Sequence, residues 1–599
     1  MKTTKKLLVI FLTMTMIMSL FVGCDKSGND TKVDNEVGVT DDEKKDADEK
    51  EEESQKEENV VKVYRDTNSK TKTLNPHIYE TTAEGDTMMY VYGNLLEMIT
   101  NESGDSYELF PFHAKELPKR NEDGTVWTVK LRDNIKWDDG TPINAHSYVY
   151  SYKMLLDPKL KNHRANVFFG EVTIKNAKKY WEGKAKWEEV GIKALDDYTL
   201  QFELEFPVPE MDFYLLFTDG GATSPVHEKL YEAGMNEDRT ETNYGTSLET
   251  TPSCGAYKLE EWIRDQYKVY VKRPDTPLSD IYVPDRIEER VVEEASTALQ
   301  LFESEQIDTT SVSGTNYEKY EEDPRLVFAE STTVWSMFIN MTSETNPILK
   351  NKDFRKALFW GMDRNVIAKD IMKTAKPAPY VVASGKIAVP SKGLRYRDTD
   401  AAKSILPKNN GYDPDLAKEY FEKAYKANGN KQIIVEIQYF DTSENLKKIA
   451  EFLEESYENL FGKDKLDIKL RAVPWQGVYE NMENGKFDIA FGGWAGSRFN
   501  PWSGMEVYTS EFTNKIDKFY NKKFDELWER TTKGDLIFKE KERLEALAEM
   551  EKMLLDEVPF SPMFESRAAV LFLDRIKLKT GGKYIPGDGF AVLQADIVD

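Results

Sequence analysis

A strand-like apolar run that ends in three glycines around a tryptophan sets the tightest local constraint on this chain. The stretch is Asp488-Ile-Ala-Phe-Gly-Gly-Trp-Ala-Gly-Ser-Arg-Phe-Asn-Pro-Trp502. Asp488 to Phe491 reads as a buried strand, and Gly492, Gly493 and Gly496 surround Trp494. Glycines at a strand end let the backbone turn sharply and leave N–H and C=O groups open to something other than a neighbouring strand. An aromatic beside such backbone can cover an extended ligand. A Gly-rich surface turn with one core tryptophan has the same local pattern, so the rest of the chain must separate the two.

With 599 residues the chain is too long for one core, and roughly two to four domains or lobes are expected. A formal net charge of −25 argues against nucleic acid, which needs clustered Lys and Arg. Two cysteines do not make a disulfide framework. His77, His113, His146, His163 and His227 show no paired metal spacing, and no metal or other cofactor is expected. No Ser elbow, HExxH or phosphate loop is present, and abundant carboxylates are not a catalytic pair, so no enzyme is expected.

The beginning of the chain reads as an export signal. Lys2, Lys5 and Lys6 are followed by an apolar run from Leu7 to Leu20, then by Leu20-Phe-Val-Gly-Cys24. Gly23 before Cys24 resembles the bacterial lipobox, with Phe21 where leucine is usual. This implies a signal peptide over 1–23 and a lipid on Cys24 that holds the protein at the outer face of the membrane. Residues 24–58 are acidic and polar with almost no large apolar side chain, which predicts a disordered tether.

From 59 onward, strand and helix patterns alternate, which favours α/β architecture. Met88 to Leu96 has helical spacing, and Trp127, Val129 and Leu131 alternate as a half-buried strand. Asn144 looks like an N-cap for a helix with Tyr148, Tyr152 and Leu155 or Leu156 on one face, ended by Asp157-Pro158. Trp335, Trp475 and Trp502 read as core residues.

Lys130-Leu-Arg-Asp-Asn-Ile-Lys-Trp-Asp-Asp-Gly-Thr-Pro-Ile-Asn-Ala145 resembles a signature of the bacterial extracellular solute-binding proteins of the oligopeptide/dipeptide-binding family. Further matches follow in order: Leu195 to Leu204, Thr251 to Trp262, Ala295 to Asp308, Asp353 to Leu358 with Met362-Asp-Arg364, Tyr412 to Lys418, and Asp488 to Pro501. The likeness runs from about residue 60 to near the C-terminus.

The resemblance implies a two-lobe periplasmic-binding-protein-like fold with two crossover strands as hinge. Lobe I would hold 59–293 plus 557–599, and lobe II 294–556. The crossovers would be Arg286 to Val292 and Glu557 to Phe564. It also implies a monomeric receptor that captures oligopeptides between the lobes and delivers them to ABC permease subunits. A peptide-signal receptor or an oligosaccharide-binding protein on the same fold is the alternative. Contacts are expected from Gly493, Trp494, Ala495, Gly496, Ser497, Arg498 and Asn500, with Thr81, Thr82 and Cys254 near the ligand by analogy. The sequence departs from the family at Ser497, where relatives place an aspartate for the peptide's α-ammonium. Serine cannot form that charge-assisted pair, so three alternatives stand open: a ligand without a free N-terminus at that point, binding in another register, or an acid from elsewhere, such as Glu80.

Overall fold

The computed structural model describes residues 61–170, 172–218, 221–494, 500–512 and 515–598. Strand β1 (Val63–Asn68) leads to helix α1 (Thr82–Val91) and a hairpin of β2 (Leu96–Thr100) and β3 (Tyr107–Pro111). Next come β4 (Val126–Lys130), α2 (Ala145–Leu155), α3 (Glu210–Leu215), β5 (Tyr257–Ile263), β6 (Tyr267–Lys272) and β7 (Arg286–Val291). The chain continues with α4 (Ala295–Glu303), β8 (Thr309–Val312), β9 (Leu326–Ile339), α5 (Pro414–Ala427), β10 (Ile433–Phe440) and β11 (Leu466–Val473). Helix α6 (Trp475–Glu483), β12 (Ile489–Gly493), α7 (Glu540–Glu557) and β13 (Phe560–Phe572) complete the framework.

The fold is α/β. A four-stranded sheet has the order β1-β7-β6-β5, with β1 and β7 parallel. A seven-stranded mixed sheet has the order β8-β13-β9-β12-β10-β11, with Lys376–Pro377 added on β13. Two large cores form. One draws on Tyr64 through Ile287 and regains the chain at Phe572 through Ile597. The other runs from Met337 to Phe564. A small third cluster packs Leu299, Phe302, Ile307 and Val312 against Ala569 and Leu571 of β13.

Asp308 ties three chain segments together. Its carboxylate accepts from Arg65 N at 2.7 Å, Arg65 Nη2 at 3.1 Å and Arg575 Nη1 at 2.8 Å. Its own N–H donates to Arg65 O, and its carbonyl accepts from Leu573 N. One fully buried carboxylate therefore joins β1, the lead into β8 and the segment after β13.

Local signals place several helices. Asn144 Oδ1 accepts from the His146 and Ser147 amides and starts α2, which buries Tyr148, Tyr152 and Leu155. Asp413 caps α5 with Pro414 in its first turn. The helical pattern from Met88 to Leu96 is a departure: α1 ends at Val91, and Leu96 opens β2. A side chain at Gly93 would run into the Phe112 ring at 2.0 Å, so the backbone passes that ring closely and leaves the helix there.

Candidate functional site

Strand β12 lies between β9 and β10. Against β9, Ile489 to Gly493 pair with Ile339 to Trp335. Against β10 the ladder stops at Ala490–Gln438. Phe491 to Gly493 are thus backed by a strand on one side and leave the parallel ladder on the other. At that end the Gly493 amide meets the Tyr479 hydroxyl of α6. The glycines have a packing role too: a Cβ on Gly493 would lie 3.0 Å from Thr333 Cγ2 and 3.3 Å from Val334 O. Asp488 fixes the strand's start, its Oδ2 accepting from Asn346 Nδ2 at 2.9 Å and Glu436 N at 3.2 Å.

An aromatic wall stands beside this strand end. Trp475 stacks on Phe440 with centroids 4.2 Å apart, and Tyr479 and Trp335 pack at 5.3 and 6.2 Å from the same indole. Phe564 lies parallel to Trp335. The expectation that these tryptophans are core residues holds for Trp502, which is 3% exposed, and fails for Trp475, which is 51% exposed. Trp475 opens α6 directly after Pro474, and no local pattern marks which way that first residue faces.

Trp494 is partly buried, meets Phe512 edge-on at 5.4 Å and carries a buried Nε1 with no acceptor among the described residues. Ala495, Gly496, Ser497 and Arg498 lie outside the described residues, as does Cys24. Asn500 is buried, and its Oδ1 accepts from Trp502 N at 2.8 Å.

Glu80, Thr81 and Thr82 form the exposed turn that opens α1. Thr81 is the N-cap: its hydroxyl oxygen accepts from Glu84 N, and Glu84 Oε2 accepts from Thr81 N and Glu80 N. Glu84 Oε1 also accepts from the Lys72 and Thr73 amides. Burial pushes the Glu84 carboxyl up, but these four backbone N–H groups outweigh it and hold it below its ordinary value. Glu84 therefore positions the turn. Thr81-x-x-Glu84 is a capping box, a signal present in the sequence. Arg164 clamps the preceding residue, with its guanidinium 3.7 Å over the Tyr79 ring and its Nε donating to Tyr79 O.

Cys254 is 1% exposed in the first core, its sulfur accepting from Gly93 N at 3.5 Å. Burial pushes the thiol up to about 12, against the smaller opposing effects of that amide and Arg273. Its surroundings are those of a packed thiol. Among the described residues no group of His, Cys, Asp or Glu has the arrangement of a metal site, and no helix is long and apolar enough to cross a membrane.

Comparison with known proteins adds to this geometry. The family described as bacterial extracellular solute-binding proteins, family 5 Middle, matches residues 108–515. The dipeptide-binding protein DppE of Bacillus subtilis is 26% identical over 475 residues, which are 79% of this chain and 81% of that protein. The periplasmic murein peptide-binding protein MppA of Escherichia coli is 26% identical over 485 residues, covering 79% and 83%. Among solved structures, Listeria monocytogenes OppA bound to peptide matches with a TM-score of 0.70 at 24% identity, covering 90% of this chain and 99% of that one.

Proposed function

The chain belongs to the bacterial extracellular solute-binding proteins of family 5, and from that premise we propose that it captures oligopeptides outside the cell membrane and delivers them unchanged to the permease of an ABC importer. The observation that carries this reading is the end of β12, where the ladder to β10 stops beside the exposed Trp475. A peptide's main chain is a repeating set of donors and acceptors, so a receptor that pairs with it accepts many sequences. We assign contacts to Gly493, Trp494, Ala495, Gly496, Ser497, Arg498 and Asn500, and add Trp475 as an apolar platform. Glu80 and the capped turn of Thr81 and Thr82 supply the acidic side. Cys254 stands behind the site as a packing residue.

In this reading the lobes are 59–293 with 557–599, and 294–556, hinged where the chain crosses. Residues 1–23 are a signal peptide, Cys24 carries the lipid and 24–58 form the tether, so the monomer works at the membrane's outer face. The exposed Trp475 ring also favours a second reading, an oligosaccharide receptor, because sugar faces stack on indole. Native mass spectrometry of the full-length chain in mild detergent, before and after gentle unfolding, separates the two. Released peptides of mixed sequence and similar length are the expected result. Released sugars would overturn the peptide assignment and leave the receptor fold intact.

A further inference from the structure

A cavity of about 400 Å³ lies between helix α3 on one side and residues 388–391 with the start of α7 on the other. Among the described residues that line it, none belongs to β12 or to the aromatic wall at Trp475. Its walls are apolar, built from Met211, Tyr214, Val389, Phe538 and Leu544. The exposed Phe538 ring marks where it opens to water. Its size falls within the roughly 300–1,000 Å³ of small-molecule sites, which pair apolar walls with a few placed polar groups.

Two opposite charges stand in this apolar surround. Asp212 Oδ2 of α3 lies 3.4 Å from Arg543 Nη2 of α7, with side chains only 10% and 9% exposed. Arg543 is fixed from behind: its Nε donates to Thr531 O at 2.8 Å, and its guanidinium lies 3.8 Å over the Trp502 ring. Neither ion is saturated. Asp212 Oδ1 and Arg543 Nη1 make no hydrogen bond among the described residues, yet neither atom is sealed from water. Burial pushes the Asp212 carboxyl up, and Arg543 only partly opposes it. A buried ion pair offsets the cost of its desolvation only when its remaining bonding positions are also filled. The other charged lining residues have partners, Arg120 with Glu210 at 3.2 Å and Glu540 with Lys392 at 2.7 Å.

We infer that this cavity is a second ligand site, apart from the peptide site proposed above, and that it takes a free α-amino acid with an apolar side chain. The ion pair is neutral as a whole, so a ligand with one net charge would leave that charge uncompensated among apolar walls. A zwitterion brings one group of each sign. Its ammonium donates to Asp212 Oδ1 and its carboxylate accepts from Arg543 Nη1, both as charge-assisted bonds. Each of the four charges then sits between two of opposite sign, and the side chain lies against Met211, Val389 and Leu544. A dipeptide carries its charged termini one residue further apart, about 3.5 Å, too far to close this ring.

The test uses the full-length chain in mild detergent, dialysed free of small solutes, and calorimetric titration with L-leucine, isoamylamine and 4-methylpentanoate. L-leucine should bind saturably, one molecule per chain, and slow amide hydrogen exchange at 210–215 and 540–547. Isoamylamine lacks the carboxylate and 4-methylpentanoate lacks the ammonium, so each should bind about tenfold or more weakly, the loss of one bond between charged groups. Asp212→Asn should weaken L-leucine binding about tenfold or more for the same reason. Met211→Trp fills the cavity while leaving the ion pair in place, and should abolish saturable binding. No saturable heat with L-leucine up to about 10 mM overturns the inference. Equal affinity for the three compounds overturns the zwitterion assignment. Undiminished affinity in Met211→Trp, with a thermal melt showing that the variant is folded, would put leucine elsewhere and overturn the site. Should Asp212→Asn not fold, the three compounds on the wild-type chain still decide. Release or absence of peptides in the mass spectrometry experiment bears on none of these outcomes.

Discussion

Trp475 lies flat on Phe440, with 4.2 Å between ring centroids and 28° between planes, and leaves about half its surface in water. A buried ring beneath an exposed one makes a rigid platform with one free face. Burying such a face on a ligand is the kind of contact that carries a large share of binding energy. Trp475→Ala is expected to weaken ligand binding about tenfold or more, since tryptophan anchors cost roughly 2 kcal/mol when truncated. Unfolding stability should change by less than about 1 kcal/mol, because the ring fills no cavity in the core. Calorimetric titration beside a thermal melt checks both. Undiminished affinity would remove Trp475 from the site.

The knot at Asp308 predicts a different response. Three N–H donors converge on one carboxylate that has no solvent access: the Arg65 amide and the guanidinium groups of Arg65 and Arg575, which come from distant parts of the chain. Removing one member of a buried pair leaves the others uncompensated, at about 3–5 kcal/mol. Asp308→Asn keeps the shape and loses the charge, so chemical denaturation should show a loss of that order. A midpoint equal to wild type would mean that Arg65 and Arg575 find other partners as good.

How far the sequence alone leads depends on the range of the interaction. The Asn144 cap and the Asp413-Pro414 start are settled within one helical turn, and the chain places both helices accordingly. The capping box at Thr81 and Glu84 is equally local. The end of α1 is not local, because the ring that Gly93 must clear belongs to Phe112, which arrives from the next hairpin. Asp212 and Arg543 stand 331 positions apart, and no periodicity links them. The glycines of β12 illustrate a mixed case. Their place at a strand end was readable, but Gly493 also needs to be small because of Thr333, a residue of the neighbouring strand.

Stability should depend on pH in two opposed ways. His77 and His113 are fully buried, and burial drives each down to about 3. An unfolded histidine titrates near about 6.5. Between these values the unfolded chain binds more protons, so their contribution is complete above about pH 6.5 and is lost as pH falls toward 3. Asp66 has the other sign. Burial first, then Glu289 and Asp86, raise its carboxyl to about 7 against the Thr67 amide and the Tyr64 hydroxyl. Its contribution is complete below about pH 4 and is lost as pH rises through 7. Asp66→Asn imitates the neutral form and should raise the thermal midpoint over wild type at pH 8 more than at pH 4. Equal shifts at both values would show that Asp66 is ionised at no cost in the folded chain.

Cys254 offers a direct check on which residues face the ligand. A thiol must ionise to attack an alkylating reagent, and it must be reached. Here burial holds the thiol far from ionisation at neutral pH, and the sulfur is covered by core residues and by the Gly93 amide. N-ethylmaleimide should therefore leave Cys254 unmodified in the native full-length chain, while complete reaction follows in denaturant. Mass spectrometry of the peptide that holds Cys254 reads this without interference from Cys24. Rapid native alkylation that bound peptide suppresses would move Cys254 from the core to the ligand's side. Its turn, Ser253-Cys254-Gly255, would then supply a contact to the ligand in addition to those from β12.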